Sequence, residues 1–451
     1  MTPDLIIVGA GPAGVSAAIE GRARGLAVLL LDENGAPGGR IWQALEARGA
    51  KDADDTAALR TLGEFRASGA DARWRASVWA IDPDGTVFWS DDRTTHSARG
   101  GFVLLATGTT ERPLAIPGWT LPGVMTVGAA QIALKTSGLV PSGACWIAGQ
   151  GPLLMLYAVQ ALRAGGRLAG ILDLSDRGAV LPALRHLPGA LPAFADLRKG
   201  LAWRWEIARA GVKWIRASDL RAEGDGALSR IRFRAGGQDR SEPADLLLLH
   251  DGVMPSVQIT RALGCAHEWD EAQRCWKPVT DAWGVTSNPR LLVAGDGAGV
   301  GGALAAACAG RLAALGAASA LGRIDAASRD TAAEPLRAAR ARYLASRPFL
   351  DALYAPRAPS LDDNTMVCRC EEVTAGQIRQ AAKIGALGLN QLKAFTRCGM
   401  GPCQGRMCGA TAAEVMADAR GVPLEQIEPY RTRFPTRPLT LGELAALDVG
   451  T

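Results

Sequence analysis

Apolar and polar positions fall into two kinds of block. Runs of four or five apolar residues read as buried strands, and apolar residues three or four apart read as helices. Leu5-Ile-Ile-Val8 is the first run, and it ends in Gly9-Ala10-Gly11-Pro12-Ala13-Gly14. A helical pattern continues to Gly25, and a second run, Val28-Leu-Leu-Leu31, closes on Asp32 and Glu33. A block of the same shape recurs about 140 residues later. There Cys145-Trp-Ile-Ala148 leads into Gly149-Gln-Gly151-Pro-Leu-Leu154, and Ile171-Leu-Asp173 follows.

Each residue of the first block has a physical reason to be there. Gly9 allows a tight turn, Gly11 lets a pyrophosphate approach the backbone, and Gly14 lets helix and strand pack closely. The helix start at Pro12 and Ala13 offers phosphates the free N–H groups that follow the proline. Asp32, with Glu33 beside it, is placed to bond ribose hydroxyls. In the second block the third glycine is Leu154, whose side chain is expected to push the helix from the strand or crowd the phosphates. That keeps the fold signal and argues against NAD(P) binding.

Further along, Gly35-Ala-Pro-Gly38-Gly39-Arg40 is a glycine loop, and Gly101 to Leu105 is a buried strand ending in Ala106-Thr107-Gly108. Leu291 to Ala294 leads into Gly295-Asp296, and an Ala-rich helical stretch runs to about Leu321. Beyond residue 330 an Arg/Ala helix gives way to a proline-punctuated connection.

The last part of the chain carries different chemistry. Val367-Cys368-Arg-Cys370-Glu-Glu is answered by Cys398-Gly-Met-Gly-Pro-Cys403-Gln-Gly-Arg-Met-Cys408-Gly, which gathers five of the nine cysteines. Thr374 and Gln377 form a capping box opening a helix that carries Ile378, Ala381 and Ile384 or Gly385 on one face. Asn390 is expected to cap a second helix, and Cys408-Gly409 to lead a third that Gly421 closes. A thiolate at that helix start is favoured by the dipole. Cys368, Cys370, Cys403 and Cys408 suit a [2Fe–2S] cluster. Structural zinc remains an alternative, although Cys-x-Cys matches zinc spacing poorly. Cys398 is set aside because it is expected in the last turn of a helix. The other four cysteines and the four histidines show no ligand spacing.

Bulk properties exclude more than they select. At ~100–200 residues per domain, 451 residues make two to four domains. A net charge of +5 without a Lys/Arg run is no nucleic-acid footprint. The N-terminus has no signal-peptide pattern, and no apolar run is expected to reach the ~18–20 residues of a membrane span, so the cytosol is the expected compartment.

The FAD-type motif, the Ala-Thr-Gly turn and Gly295-Asp296 resemble the two-dinucleotide-binding flavoprotein superfamily. The cysteine motif, together with Lys393-Ala-Phe-Thr-Arg397, resembles the bacterioferritin-associated-ferredoxin-type [2Fe–2S] domain. The version is that of the α-subunits of heteromeric FAD-dependent amine and imino-acid dehydrogenases, of the opine oxidase, hydrogen cyanide synthase, hydroxyproline and proline dehydrogenase types. In the small free-standing ferredoxin domain the closing pair is Cys-x2-Cys, whereas position 406 here is Arg.

The resemblance implies an α/β fold: an FAD domain at 1–117 and 280–330, an inserted NAD(P)-like domain at 118–279, a linker at 331–362, and a small helical [2Fe–2S] domain with its tail at 363–451. It implies FAD contacts from Gly39, Arg40, Val78, Thr107, Gly108, Gly295 and Asp296. It also implies a D-amino-acid- or sarcosine-oxidase-like β-subunit with its own FAD. In some relatives it implies an interface FMN and a small ferredoxin-like γ-subunit. No substrate-side catalytic residue is implied in this chain.

Overall fold

The computed structural model describes residues 2–91, 94–176, 178–356 and 360–447. Two five-stranded parallel sheets organise it. The first runs in the order Leu291–Val293, Phe102–Leu105, Leu5–Val8, Val28–Asp32, Asp71–Trp74, with Leu5 opposite both Val28 and Phe102. Its central strands are apolar throughout because both faces are covered. Helices Pro12–Ala23 and Ala303–Ala320 lie on one face. An antiparallel meander, Ser77–Ile81, Thr86–Ser90 and Thr95–Arg99, lies on the other.

The second sheet runs Lys213–Arg216, Gly170–Asp173, Cys145–Gln150, Leu246–Asp251, Val124–Thr126. The chain passes between the sheets through an antiparallel pair, Thr109–Glu111 against Val253–Pro255. Ile259, Leu263 and Cys265 already pack on the first sheet's core, so the return comes well before residue 280.

Packing corrects two expectations and extends a third. Helix Ala303–Ala320 is long and apolar enough, by length and composition, to cross a bilayer, although no such run was expected. It runs instead through the core, where Gly310 lies against Ala13 and Arg311 reaches Glu20 and Glu64. The Arg/Ala helix expected beyond residue 330 is Ala326–Leu344, and a second helix, Arg347–Leu353, follows it. The first is seated by Ala333 on Leu312 and Leu315, and by Arg329 and Arg337 on the Trp283 ring. The second-block Leu154 does not crowd a phosphate site: its side chain is buried in the core with Ile147 and Leu248.

The cysteine segment shares one buried core with the second sheet and with the antiparallel sheet Ser218–Glu223, Arg230–Ala235 and Gln238–Pro243. Trp119 Nε1 donates to the Met366 carbonyl at 2.7 Å, and Arg369 lies over the Trp119 ring. The Thr374–Gln377 capping box opens helix Ala375–Lys383, burying Ile378 and Ala381 while Ile384 stays exposed. Gly388, not Asn390, precedes helix Leu389–Thr396; the Asn390 side chain accepts from the Arg431 N–H instead. Helix Gly409–Arg420 starts at Cys408 and stops at Gly421 in the left-handed region.

Candidate functional site

A cleft of about 320 Å3 opens at the carboxyl ends of the first sheet. Gly9, Gly11, Pro12, Ala13, Asp32, Glu33, Gly39, Arg40, Val78, Thr107, Gly108 and Asp296 all line it. Gly14 and Gly295 act from beneath: a Cβ on Gly14 would stand 1.8 Å from the Gly9 carbonyl oxygen, and one on Gly295 2.9 Å from the Ala13 Cβ. The glycine loop closes over the helix start, with Gly38 N–H donating to the Ala10 carbonyl at 2.8 Å. The two acids differ in their surroundings. Asp32 is buried and accepts from Ala10 N–H at 2.5 Å and from the Asn34 backbone and side chain at 2.7 Å. Glu33 is exposed and pairs with Arg40, at 3.2 Å. Asp296 accepts from the Gly301 and Gly302 N–H groups, which fixes the turn before the long helix.

A second cleft of about 590 Å3 lies between the two sheets. Its far wall is the Gly149–Gly151 turn, and segment 347–356 covers it. Gln150 Nε2 donates to the Asp251 carboxylate and to the Ala355 carbonyl, at 2.8 and 3.1 Å. Tyr354 is partly buried there, and the nearby Asp173 adds to the burial that raises its pKa. His250 and Glu111, which had no expected role, form a pair at 2.6 Å on this cleft, and Glu111 also accepts from Gly128 N–H.

The cysteines separate into two groups. The Sγ atoms of Cys368, Cys398 and Cys408 lie within 4.8 Å of one another, all buried. Cys370 is exposed and adjoins Cys403, which is half-buried. The expectation that Cys398 lies in a helical turn fails. The helix ends at Thr396, and Arg397, at φ +62°, swings Cys398 into the core. Hydrogen bonds from Cys398 and Cys408, with Gly399 and Glu371 N–H groups, pull the Cys368 thiol down to about 2. Hydrogen bonding to Cys368 pushes Cys398 up to about 12, and hydrogen bonding to Cys368 and Cys398 with burial pushes Cys408 upward as well. The glycines of this loop fit around one ring: a Cβ on Gly399 or Gly405 would meet Tyr430 at 2.5 Å. Five thiols beside a helix N-terminus form a soft donor set fit for an iron–sulfur cluster or zinc.

Sequence reasoning missed the residues that join these regions. Arg406, Gln258 and Thr436 complete the first cleft from three distant segments. Between the cleft and the cysteines lies a chamber of about 130 Å3 lined by Arg112, Arg274, Glu414 and Tyr430 among others. Only Arg406 carried a prior signal, as the position where the related ferredoxin pattern has cysteine.

The pattern of the pyridine nucleotide-disulphide oxidoreductase family matches residues 3–313, and that of the sarcosine oxidase A3 domain residues 362–448. The opine oxidase A subunit of Rhizobium meliloti (strain 1021) is 42% identical, covering 98% of this chain and 98% of its own length. The HcnB subunit of hydrogen cyanide synthase from Pseudomonas aeruginosa is 32% identical over 96% of each. L-proline dehydrogenase from P. horikoshii shares the fold, with a TM-score of 0.73 at 19% identity over 98% of this chain and 79% of that one. The chain therefore belongs to the pyridine nucleotide-disulphide oxidoreductase family, and within it to the group of HcnB and the opine oxidase A subunits, as one component of a heteromeric flavin-dependent dehydrogenase.

Proposed function

We propose that this chain is the electron-transfer subunit of an FAD- and iron–sulfur-dependent dehydrogenase whose donor is an amine or imino acid of the opine, proline or hydroxyproline type. The observation that carries this reading is the loop 403–408. It holds Cys403 and Cys408 and sends Arg406 into the first cleft, so a single turn borders both cofactor sites.

In the first cleft, the N–H groups of Gly11, Ala13 and Gly14 would take the pyrophosphate, and Glu33, the more exposed of the two acids, would take a ribose hydroxyl. Val78 would line the adenine, and Thr107, Gly108 and Asp296 the flavin side. The thiols of Cys368 and Cys408, joined from Cys370, Cys398 and Cys403, would hold the cluster. FAD and [2Fe–2S] supply the one- and two-electron steps that side chains lack. The chain's own residues bind, orient and shield these groups. An FMN at the subunit interface is compatible with this arrangement.

Substrate oxidation is assigned to a partner subunit of the D-amino-acid or sarcosine oxidase type with its own FAD, with a small ferredoxin-like third subunit where one exists. Direct NADH oxidation is disfavoured by segment 347–356 over the second glycine turn. The test is co-purification with the partner, then assay with an amine and imino-acid panel and a dye acceptor. Dye reduction by the complex and not by this chain alone is expected. Full-rate amine oxidation by the isolated chain, or bleaching of its flavin on anaerobic mixing with NADH, would overturn the assignment.

A further inference from the structure

Arg406 stands where the small ferredoxin-type pattern carries a cysteine, yet it points away from the thiols. Its N–H donates to the Cys403 carbonyl at 3.0 Å, which fixes the turn. Its guanidinium Nη2 donates to the Thr436 carbonyl at 2.6 Å. Thr436 in turn donates through N–H and Oγ1 to the Trp79 carbonyl, at 2.8 and 3.3 Å, beside Val78. The neighbouring Gln404 clasps the same tail through the Pro435 carbonyl. The cysteine loop is thereby tied to the wall of the first cleft formed by Glu33, Ser77 and Val78.

Arg406 is partly withdrawn from water, and among the described residues no carboxylate lies within 4.0 Å of it. The titratable groups facing it are Glu33 across the cleft and Cys403 behind it. A guanidinium so placed, permanently charged and without an ion-pair partner among the described residues, suits an anionic or aromatic ligand.

We propose that Arg406 is a nucleotide-binding residue contributed by the cysteine segment, holding the adenosine end of an adenine nucleotide in the first cleft and coupling its occupancy to the redox state of the cysteine centre. This rests on the reading of the two sites given above. The coupling is reciprocal. Reduction of the centre adds one negative charge on the far side of the loop. A guanidinium fixed by nucleotide favours that charge, and its removal disfavours it.

The test uses the full chain with its partner, as wild type, Arg406→Gln and Arg406→Lys. FAD and ADP affinities are measured after removal of bound nucleotide, together with iron and acid-labile sulfide per chain and the midpoint potential of the centre. Arg406→Gln is expected to weaken ADP and FAD binding at least about tenfold at unchanged iron content, and to shift the potential negative, as withdrawing nucleotide does in the wild type. Arg406→Lys, which keeps the charge without the planar fork, is expected to fall between. If Arg406→Gln fails to retain iron, Arg406→Lys carries the comparison alone. Equal nucleotide affinity in wild type and variants overturns the proposal while leaving the cofactor assignment intact. A wild-type chain that binds neither FAD nor ADP overturns the assignment of the cleft, and this proposal with it.

Discussion

Gly310 lies so close over Ala13 that a Cβ on it would stand 2.0 Å from the Ala13 carbonyl oxygen. Helices Pro12–Ala23 and Ala303–Ala320 come from opposite ends of the first unit, and this contact sets their separation beneath the first cleft. Gly310→Val has no flexible neighbour to displace, so the backbones must part. Overpacking of this kind costs about 3 kcal/mol. Denaturant unfolding should show that loss, and the purified variant should carry less FAD than wild type. Wild-type stability and flavin content would refute the close crossing.

The cysteine geometry makes a serine series informative. Cys368 and Cys408 belong both to the four expected from the sequence and to the buried trio, so either serine variant should lose iron and visible absorption. Cys398→Ser is also expected to lower iron content, because its thiol lies within 4.8 Å of the other two. Full retention of the chromophore in Cys398→Ser would return the ligand set to Cys368, Cys370, Cys403 and Cys408.

Tyr430 should matter through its ring. Gly399 and Gly405 press on it, and it is buried against the cysteine loop. Tyr430→Ala removes that support and should destabilise the segment by roughly 3–5 kcal/mol, with iron lost faster to a chelator. Tyr430→Phe keeps the ring and should retain iron at the wild-type rate. Equal rates for both variants would show that the ring is dispensable.

Burial, opposed by Arg112 and Arg274 and reinforced by Asp251, raises the Glu414 carboxyl from 4.5 to about 7. A carboxyl with a raised folded pKa holds its proton more tightly in the folded state. Its stabilising contribution is complete below about pH 4.5 and is lost as pH rises to about 7. Across that window it should remove at most about 3 kcal/mol. Glu414→Gln should flatten this part of the stability profile, as read by urea unfolding at pH 5 and pH 7.5. An unchanged slope would mean that Glu414 is ionised at both.

Features that local physics writes into neighbouring residues were legible along the chain. The apolar runs at Leu5 and Val28 demanded buried parallel strands, and the glycines from Gly9 to Gly14 demanded a tight strand–helix turn. Thr374 and Gln377 announced a helix start, and Gly421 a helix end. Folding settled what depends on surfaces brought together from far apart. The left-handed Arg397 turned Cys398 inward, a choice that no spacing reveals. The buried position of Leu154 left the second glycine turn intact, and segment 347–356, two hundred residues away in sequence, covered it. Arg406 faces the first cleft because the tail at Thr436 is anchored to Trp79. Periodicity and capping act within a few residues, so the order of residues alone carries them. The direction in which a side chain leaves a loop is set by whatever packs against that loop, and here those partners are supplied only by the folded chain.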